Sequence, residues 1–110
     1  MSDCIFCKIV SKEIPSDIVY EDDEILAFND INPQAPVHIL IIPKKHYENI
    51  NEVDDYGMVS KMFEVGKKIT EQKGIEDFRY VINKGEKAGQ TVFHLHMHLI
   101  AGRVMNWPPG

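Results

Sequence analysis

Five short stretches of the chain are dominated by apolar, β-branched and aromatic residues, and each is followed by residues typical of turns. An acidic turn, 21–24, separates the first two stretches, and a loop with two prolines, 29–36, precedes the third. Each stretch has the length of an ordinary strand. We therefore predict strands over 18–20, 25–28, 37–42, 78–83 and 93–101.

One longer segment, 52–73, follows a helical pattern instead. Its stripe of positions at three- and four-residue spacing consists of Val59, Met62, Phe63, Gly66 and Ile69. Asn51 is the predicted cap at the start of this helix and Gly74 the predicted cap at its end. Because strands and helices do not alternate along the chain, we predict an α+β domain with the helix packed on an antiparallel sheet.

The last predicted strand carries three of the five histidines of the chain, in the stretch HLHMHLI. Successive side chains of a strand point to opposite faces, so His94, His96 and His98 share one face. We expect that face to be open or polar, because burying unpaired imidazoles is costly. A polar sheet face, a metal site and a nucleophile with supporting groups all agree with this pattern. One ion shared by all three is disfavoured, because alternate residues of a strand lie roughly 7 Å apart.

The loop 83–91 leads directly into the histidine stretch. Gly85 and Gly89 allow backbone N–H groups to turn inward and form an anion-binding concavity, and Gln90 and Thr91 add side-chain donors. Glycine-containing loops are usually simple turns, so the loop alone is weak evidence. Beside three histidines, it favours a phosphate site.

Composition limits the kinds of partner. The 110 residues form one predicted domain, 1–110, and the net charge of −5 argues against a nucleic-acid polyanion while allowing a single nucleotide. The sequence has neither a signal-peptide pattern nor an apolar run long enough to cross a membrane, so we expect a cytoplasmic protein without a membrane partner. A chain this small has a thin core, which a partner subunit or a metal would support.

The stretch GEKAGQTVFHLHMHLIAGR resembles the signature of the histidine-triad (HIT) family, in which three histidines alternate with apolar residues. The N-terminal half is also similar to that family, and the ending GRVMNWPPG is similar to its nucleoside-phosphoramidase (Hint) branch. The resemblance covers nearly the whole chain. It implies a HIT fold: about five antiparallel strands, one long helix and short helical segments, with the sheet continued across a homodimer.

The resemblance also implies an activity. Hint-like proteins hydrolyse purine nucleoside 5′-phosphoramidates, such as AMP-lysine, to the nucleoside monophosphate (AMP or GMP) and an amine. His96 matches the nucleophile that forms a nucleotidyl-histidine, His98 and Gln90 match groups that hydrogen-bond the phosphoryl oxygens, and His38 matches a supporting histidine. Thr91 matches a hydroxyl near the leaving amine. A neutral imidazole suits this role, because its ordinary pKa lies near 6.5.

A nucleotide pocket follows from the same match. The nucleoside side would consist of Phe28, Asp30 and Ile31, with the Asp30 carboxylate accepting from the ribose hydroxyls. The phosphate side would consist of Asn83, Gly89, Gln90, Thr91, His96 and His98. Trp107 matches a tail residue that reaches the active site of the partner subunit. Adenine and guanine both remain open as the base.

Cys4 and Cys7 form a C-x-x-C pair near the start of the chain. Their flanks fit a redox pair poorly, and a zinc half-site needs two more ligands, for which His46 and His94 are candidates. The resemblance implies a structural Zn²⁺ in this Cys₂His₂ set and no metal in the reaction. Two alternatives stay open: a nucleotide-binding or interaction module without catalysis, and a zinc hydrolase with the triad as ligands.

Overall fold

The computed structural model of the protein describes residues 3–110, so Met1 and Ser2 of the predicted domain 1–110 lie outside the described residues. Helix α1 spans Ile5–Val10 and the long helix α2 spans Tyr56–Lys73. The strands are β1 (Ile18–Glu21), β2 (Ile25–Asn29), β3 (Val37–Pro43), β4 (Phe78–Val81) and β5 (Met97–Ala101). Short 3₁₀ turns occur at Ile50–Glu52 and Glu86–Ala88. No helix in this part of the chain is long and apolar enough to cross a membrane.

The strands form one antiparallel sheet in the order β1-β2-β3-β5-β4, which confirms the predicted α+β architecture. Strands β2 and β3 match the predicted 25–28 and 37–42 to within one residue at each end. The last strand is shorter than predicted. It begins at Met97, so His94 and His96 precede it, and the N–H of Leu95 donates to the Tyr47 carbonyl at 2.7 Å.

The start of α2 differs from the prediction. Asp55 is the N-cap, and its carboxylate accepts from the N–H of Gly57 at 2.9 Å. Asn51 lies inside the preceding 3₁₀ turn. Asn49 caps that turn, and its side chain accepts from the N–H of Asn51. The C-terminal prediction is confirmed, since Gly74 has the left-handed φ of 67° that ends many helices.

The predicted stripe of α2 is partly confirmed. Met62, Gly66 and Ile69 are buried, whereas Phe63 is 43% exposed and Val65 is buried in its place. Gly66 is required by a close approach: a Cβ at this position would lie 2.3 Å from the Tyr80 hydroxyl on β4.

The sheet separates two cores. One face packs against α2 through side chains such as Ile39, Ile41, Met97 and Leu99. The opposite face packs against α1, whose Phe6 and Ile9 meet Leu26, Phe28, Leu40 and Ile42. The alternation of β3 and β5 turns His38 and His98 toward the α1 face. Two of the predicted site residues, His38 and His98, therefore lie on the face that carries the short helix.

Candidate active site and metal centre

His38 and His98 meet on neighbouring strands. The Nε2 of His38 lies 2.8 Å from the Nδ1 of His98. The N–H of Gln34 donates to the Nδ1 of His38 at 3.0 Å, so the proton of a neutral His38 is on Nε2. His98 must then accept at Nδ1 and carry its own proton on Nε2, where it is available as a donor.

His96 has the opposite tautomer. Its Nδ1 lies 2.8 Å from the carbonyl oxygen of His94, so Nδ1 carries the proton and donates. The remaining nitrogen, Nε2, keeps a lone pair. His96 is only 6% exposed, and burial lowers its pKa below the ordinary value, against the raising effects of the His94 carbonyl and Asp30. A neutral ring with an unprotonated Nε2 is a competent nucleophile.

Burial also lowers the pKa of His98 to about 4, with smaller lowering contributions from His96 and His38. His98 is therefore neutral at pH 7. Of the two expectations for the histidine face, open or polar, the structure supports the polar one, because His94 and His96 are buried with polar partners. Their burial is tolerated because each has a polar partner, and no buried side-chain nitrogen or oxygen among residues 3–110 lacks one.

Asp30 lies beside this pair, directly after the end of β2. Its Oδ1 accepts from the N–H of Asn32 at 2.8 Å, which fixes the carboxylate in a turn. Its Oδ2 lies 3.4 Å from the Nε2 of His38. The Asp30 side chain is 19% exposed, so a ligand in the adjacent cavity can reach an acceptor-only group.

A cavity of about 540 Å³ opens in front of these groups, within the usual range for small-molecule sites. Predicted site residues on its wall are Phe28, Asp30, Ile31, His38, Gly89, Thr91, His96 and His98. The structure therefore brings together eight of the predicted residues, from β2 and the loop after it, from β3, from the glycine loop, and from β5 and the segment that leads into it.

Three predicted site residues lie off this wall. Gln90 is 1% exposed, its Oε1 accepts from Gly85, and its Nε2 donates to the carbonyls of Glu48 and Val92. The expected contact between its side chain and the phosphoryl oxygens does not match this arrangement; Gln90 holds the loop instead. Asn83 borders Gly89, and Trp107 is 82% exposed on the tail. The assignment of Trp107 to the partner's site stays a prediction.

The loop differs from the prediction of an anion-binding concavity, because the N–H of Gly85 donates to Gln90 Oε1 and the N–H of Gly89 donates to the Glu86 carbonyl. Gly85 and Gly89 have φ values of 96° and 101°, a region that favours glycine, and the Glu86–Ala88 turn lies between them. Gly89 and Thr91 face the cavity and the Thr91 side chain is exposed. The loop thus presents small and hydroxyl groups next to the histidines.

Sequence reasoning missed helix α1. Ile5, Phe6 and Ile9 of this helix also line the cavity. Six residues are too few for a periodic pattern to stand out. The available signal was the apolar spacing of Ile5, Phe6 and Ile9 directly behind Cys4, which caps the helix through its Sγ.

The four predicted metal ligands, Cys4, Cys7, His46 and His94, form one cluster whose ligand atoms lie within 4.8 Å of one another. The Nδ1 of His94 is 3.3 Å from Cys4 Sγ, 3.5 Å from Cys7 Sγ and 3.2 Å from His46 Nδ1. Bond lengths of about 2.0–2.3 Å in a zinc tetrahedron place ligand atoms about 3.3–3.8 Å apart. The spacing therefore fits a tetrahedral ion.

The donor chemistry fits as well. The Nε2 of His94 is 2.8 Å from the Pro43 carbonyl and donates to it, which leaves the Nδ1 lone pair directed at the thiols. Burial lowers the pKa of His94 to about 4, so this nitrogen is unprotonated at pH 7. Two thiols and two imidazoles are a usual set for structural zinc.

A second group, Asp30, His38 and His98, has metal-like spacing among residues 3–110. The protonation of the His38 ring nitrogens argues against a metal ion at this second group. Because His38 accepts from Gln34 at Nδ1, its Nε2 is protonated and has no lone pair for a metal. This triplet is better described as a hydrogen-bonded chain that ends at His98.

Comparison with known proteins agrees with this arrangement. The family described as "Scavenger mRNA decapping enzyme C-term binding" matches residues 3–106. A HIT-like protein of Synechocystis sp. is 50% identical over 98% of this chain and 97% of its own length. A 14 kDa zinc-binding protein of Brassica juncea is 49% identical over 98% of this chain and 100% of its own.

A solved structure has the same fold. The HIT family hydrolase from Legionella pneumophila superposes with a TM-score of 0.94 at 47% identity, covering 98% of this chain and 100% of that one. The likeness includes the whole sheet and both helices.

Proposed function

The chain belongs to the histidine-triad (HIT) family, and we propose that it hydrolyses the P–N bond of purine nucleoside 5′-phosphoramidates such as AMP-lysine. The products would be the nucleoside monophosphate and an amine. The observation that carries this proposal is the hydrogen bond from His96 Nδ1 to the His94 carbonyl. It leaves an unprotonated Nε2 on a buried histidine that lines a nucleotide-sized cavity.

In the first step, His96 Nε2 attacks the α-phosphorus and forms an N–P bond. The P–N bond to the amine breaks, and its electron pair stays on the departing nitrogen. That nitrogen needs a proton to leave as an amine, and the exposed Thr91 hydroxyl on the same wall can donate its proton while it takes one from solvent water. The product of this step is a nucleotidyl-histidine.

The hydrogen-bonded chain from Gln34 through His38 to His98 supports this step. It fixes the proton of His98 on Nε2, as a donor to a phosphoryl oxygen whose charge grows during attack. Because the pKa of His98 is about 4, the ring donates this hydrogen bond while neutral.

In the second step, water attacks phosphorus, the bond to His96 breaks, and the nucleoside monophosphate forms. The imidazole returns to its neutral tautomer, and the water proton passes to solvent or a phosphate oxygen. Splitting one displacement into two lowers the barrier of each.

The nucleoside would lie between the apolar wall and Asp30. Phe28 and Ile31 offer apolar contact to a purine, and the Asp30 carboxylate accepts from the ribose hydroxyls. Such contact does not distinguish adenine strongly from guanine, so we expect both AMP and GMP derivatives to bind.

Cys4, Cys7, His46 and His94 would hold a structural Zn²⁺. When bound, this ion supplies folding free energy rather than a Lewis acid, because four protein ligands leave no open position. The relatives named zinc-binding proteins, from Brassica juncea and Zea mays, support this assignment.

We also propose a homodimer, located in the cytoplasm. β4 is an edge strand, and aromatic side chains gather on it and on the adjacent α2: Phe63, Phe78 and Tyr80 lie in edge-to-face contact. Phe63 and Phe78 are 43% and 39% exposed. Pairing of this edge with a second copy would continue the sheet and cover these rings.

A substrate panel tests the activity. Purified protein and the His96→Ala variant are each given adenosine and guanosine phosphoramidates, and release of nucleoside monophosphate is measured. We expect at least about a thousandfold loss of kcat in the variant, while AMP still binds. Near-full activity in His96→Ala would exclude it as the nucleophile. AMP binding without turnover by the natural chain would favour the non-catalytic nucleotide-binding module.

A further inference from the structure

We propose that metal binding at Cys4, Cys7, His46 and His94 and nucleotide binding in the cavity strengthen each other through helix α1. Phe6 is the connecting side chain and acts as a positioning residue. The identity of the ligand, a purine nucleoside monophosphate, rests on the proposed function. The linkage itself rests on contacts that join the metal centre to the cavity wall.

Helix α1 depends on its anchors. It has six residues, well below the roughly 12–15 that an isolated helix needs in water. Its N-terminal end is anchored through Cys4 and Cys7, which belong to the metal cluster. Its apolar side is anchored by Phe6 and Ile9, each 7% exposed. A metal ion would fix the first anchor and so restrict how the second one packs.

The ring of Phe6 contacts both sites. It lies edge-to-face at 5.9 Å from the ring of His94, a metal ligand, and at 5.1 Å from the ring of His96. It also lies edge-to-face at 5.5 Å from Phe28 on the nucleoside wall. One side chain thus touches the metal centre, the proposed nucleophile and the base pocket.

The main chain of His94 provides a second connection. The Nδ1 atom of the His94 ring is directed at the thiols, and its Nε2 donates a hydrogen bond to the Pro43 carbonyl. Its own carbonyl accepts from His96 Nδ1 at 2.8 Å. A metal that fixes His94 therefore also fixes the group that sets the tautomer and the direction of His96.

Linkage follows from these contacts. With metal bound, Ile5, Phe6 and Ile9 form a preformed wall. Without it, a nucleotide must also order α1, so its affinity falls. The effect is reciprocal, because nucleotide must raise metal affinity by the same factor. Typical coupling between sites changes affinity by about 5- to 150-fold, and we expect about tenfold here.

The test compares full-length protein loaded with Zn²⁺ and the same protein after chelation, using calorimetric titration with AMP. We expect AMP to bind about tenfold more weakly after chelation, and Zn²⁺ to bind about tenfold more tightly with saturating AMP. Circular dichroism verifies that the chelated chain is folded. Equal AMP affinities in two folded forms would overturn the proposal.

Variants locate the connection. In Phe6→Ala, we expect weaker AMP binding and a metal effect below about twofold, with Zn²⁺ still bound. The matched control is Met62→Ala, a fully buried position on the α2 side of the sheet. This control creates a cavity of its own but should keep the tenfold metal effect. A full metal effect in Phe6→Ala would overturn the role of Phe6.

The outcomes separate this proposal from the proposed function. If chelation unfolds the chain, the rate of Zn²⁺ release to excess chelator is measured with and without AMP; slower release with AMP supports the linkage, and an unchanged rate overturns it. If the Zn²⁺-loaded chain does not bind AMP, both proposals fail. If AMP binds with the expected metal dependence but phosphoramidates are not hydrolysed, only the proposed activity fails.

Discussion

At the scale of single residues, backbone groups decide what each histidine can do. The carbonyl of Pro43 fixes one tautomer at His94, the carbonyl of His94 fixes the other at His96, and the N–H of Gln34 fixes His38. Three similar rings are therefore suited to three different proposed roles: His94 as metal ligand, His96 as nucleophile and His38 as hydrogen-bond relay. Side-chain type alone does not contain this information, because it depends on which nitrogen faces a backbone group.

The low pKa of His98 predicts a pH dependence of stability. Its pKa is about 4 in the folded chain and near 6.5 in the unfolded chain, so between these values the unfolded chain binds more protons. The stability contribution is therefore complete above pH 6.5 and declines as pH falls toward 4. We expect the free energy of unfolding to fall less steeply in His98→Gln than in the natural chain over this window.

The two proteins differ by the titration of one proton, which limits the difference between their slopes of unfolding free energy against pH. It should be below about 1.4 kcal/mol per pH unit, since the partly accessible ring is screened by solvent. Denaturant titrations of both proteins in saturating Zn²⁺ measure it. Curves that stay parallel from pH 6.5 to 4 would show that His98 titrates normally in the folded state.

At the scale of elements, the contact between α2 and β4 depends on one glycine. A Cβ on Gly66 would meet the Tyr80 hydroxyl at 2.3 Å, and that ring is confined by Phe63 and Phe78. Overpacking costs roughly 1–3 kcal/mol, which exceeds the gain of about 1 kcal/mol from alanine in a helix. We expect Gly66→Ala to lower the free energy of unfolding.

The sign of this effect should reverse when the ring is removed. In a Tyr80→Ala background, Gly66→Ala should stabilise the chain by about 0.5–1 kcal/mol, because only helix propensity remains. Thermal or denaturant unfolding of the four proteins completes the cycle. A stabilising Gly66→Ala in the natural background would contradict the close approach.

The predictability of the elements differed for physical reasons. β2 and β3 were predictable because their apolar runs end abruptly at polar residues or Pro43. The stretch 93–96 alternates like a strand, yet it does not pair with the sheet, because Leu95 bonds instead to the loop that carries His46. Helix α1 is too short for its period to be visible, although it forms part of the cavity wall.

The site was predictable in its residue types more than in its geometry. The alternating histidines and the C-x-x-C pair pointed to separate groups, and the structure brings the four proposed ligands together. The Gln90 side chain turns inward because it bonds three backbone groups, the N–H of Gly85 and the carbonyls of Glu48 and Val92. Sequence spacing could not reveal those partners.

At the scale of the whole molecule, the exposed aromatic edge predicts assembly. Phe78 on β4 is 39% exposed beside an unpaired strand edge, so a charge there should oppose pairing. We expect the natural chain to have a dimeric mass by light scattering and Phe78→Glu to be monomeric at low micromolar concentration. The control Val104→Glu, on an 88% exposed tail residue, should stay dimeric. A monomeric natural chain would contradict the proposed homodimer.

The whole molecule places its two centres on the same face of one sheet. His94 belongs to the candidate metal cluster and His96 to the cavity wall, and the two are joined by a hydrogen bond and by Phe6 of α1, whereas α2 covers the opposite face. This separation predicts that changes in α2 alter stability, while changes in α1 alter both metal and nucleotide binding.

Intact-mass spectrometry can detect the proposed covalent attachment of the nucleotide to His96. Protein mixed with adenosine phosphoramidate is quenched within milliseconds without acid, since a phosphorus–nitrogen bond to histidine is acid-labile. We predict a species heavier by one adenylyl group, mapped to His96 and missing in His96→Ala. Turnover without any adduct at all quench times, or an adduct on another residue, would contradict the account.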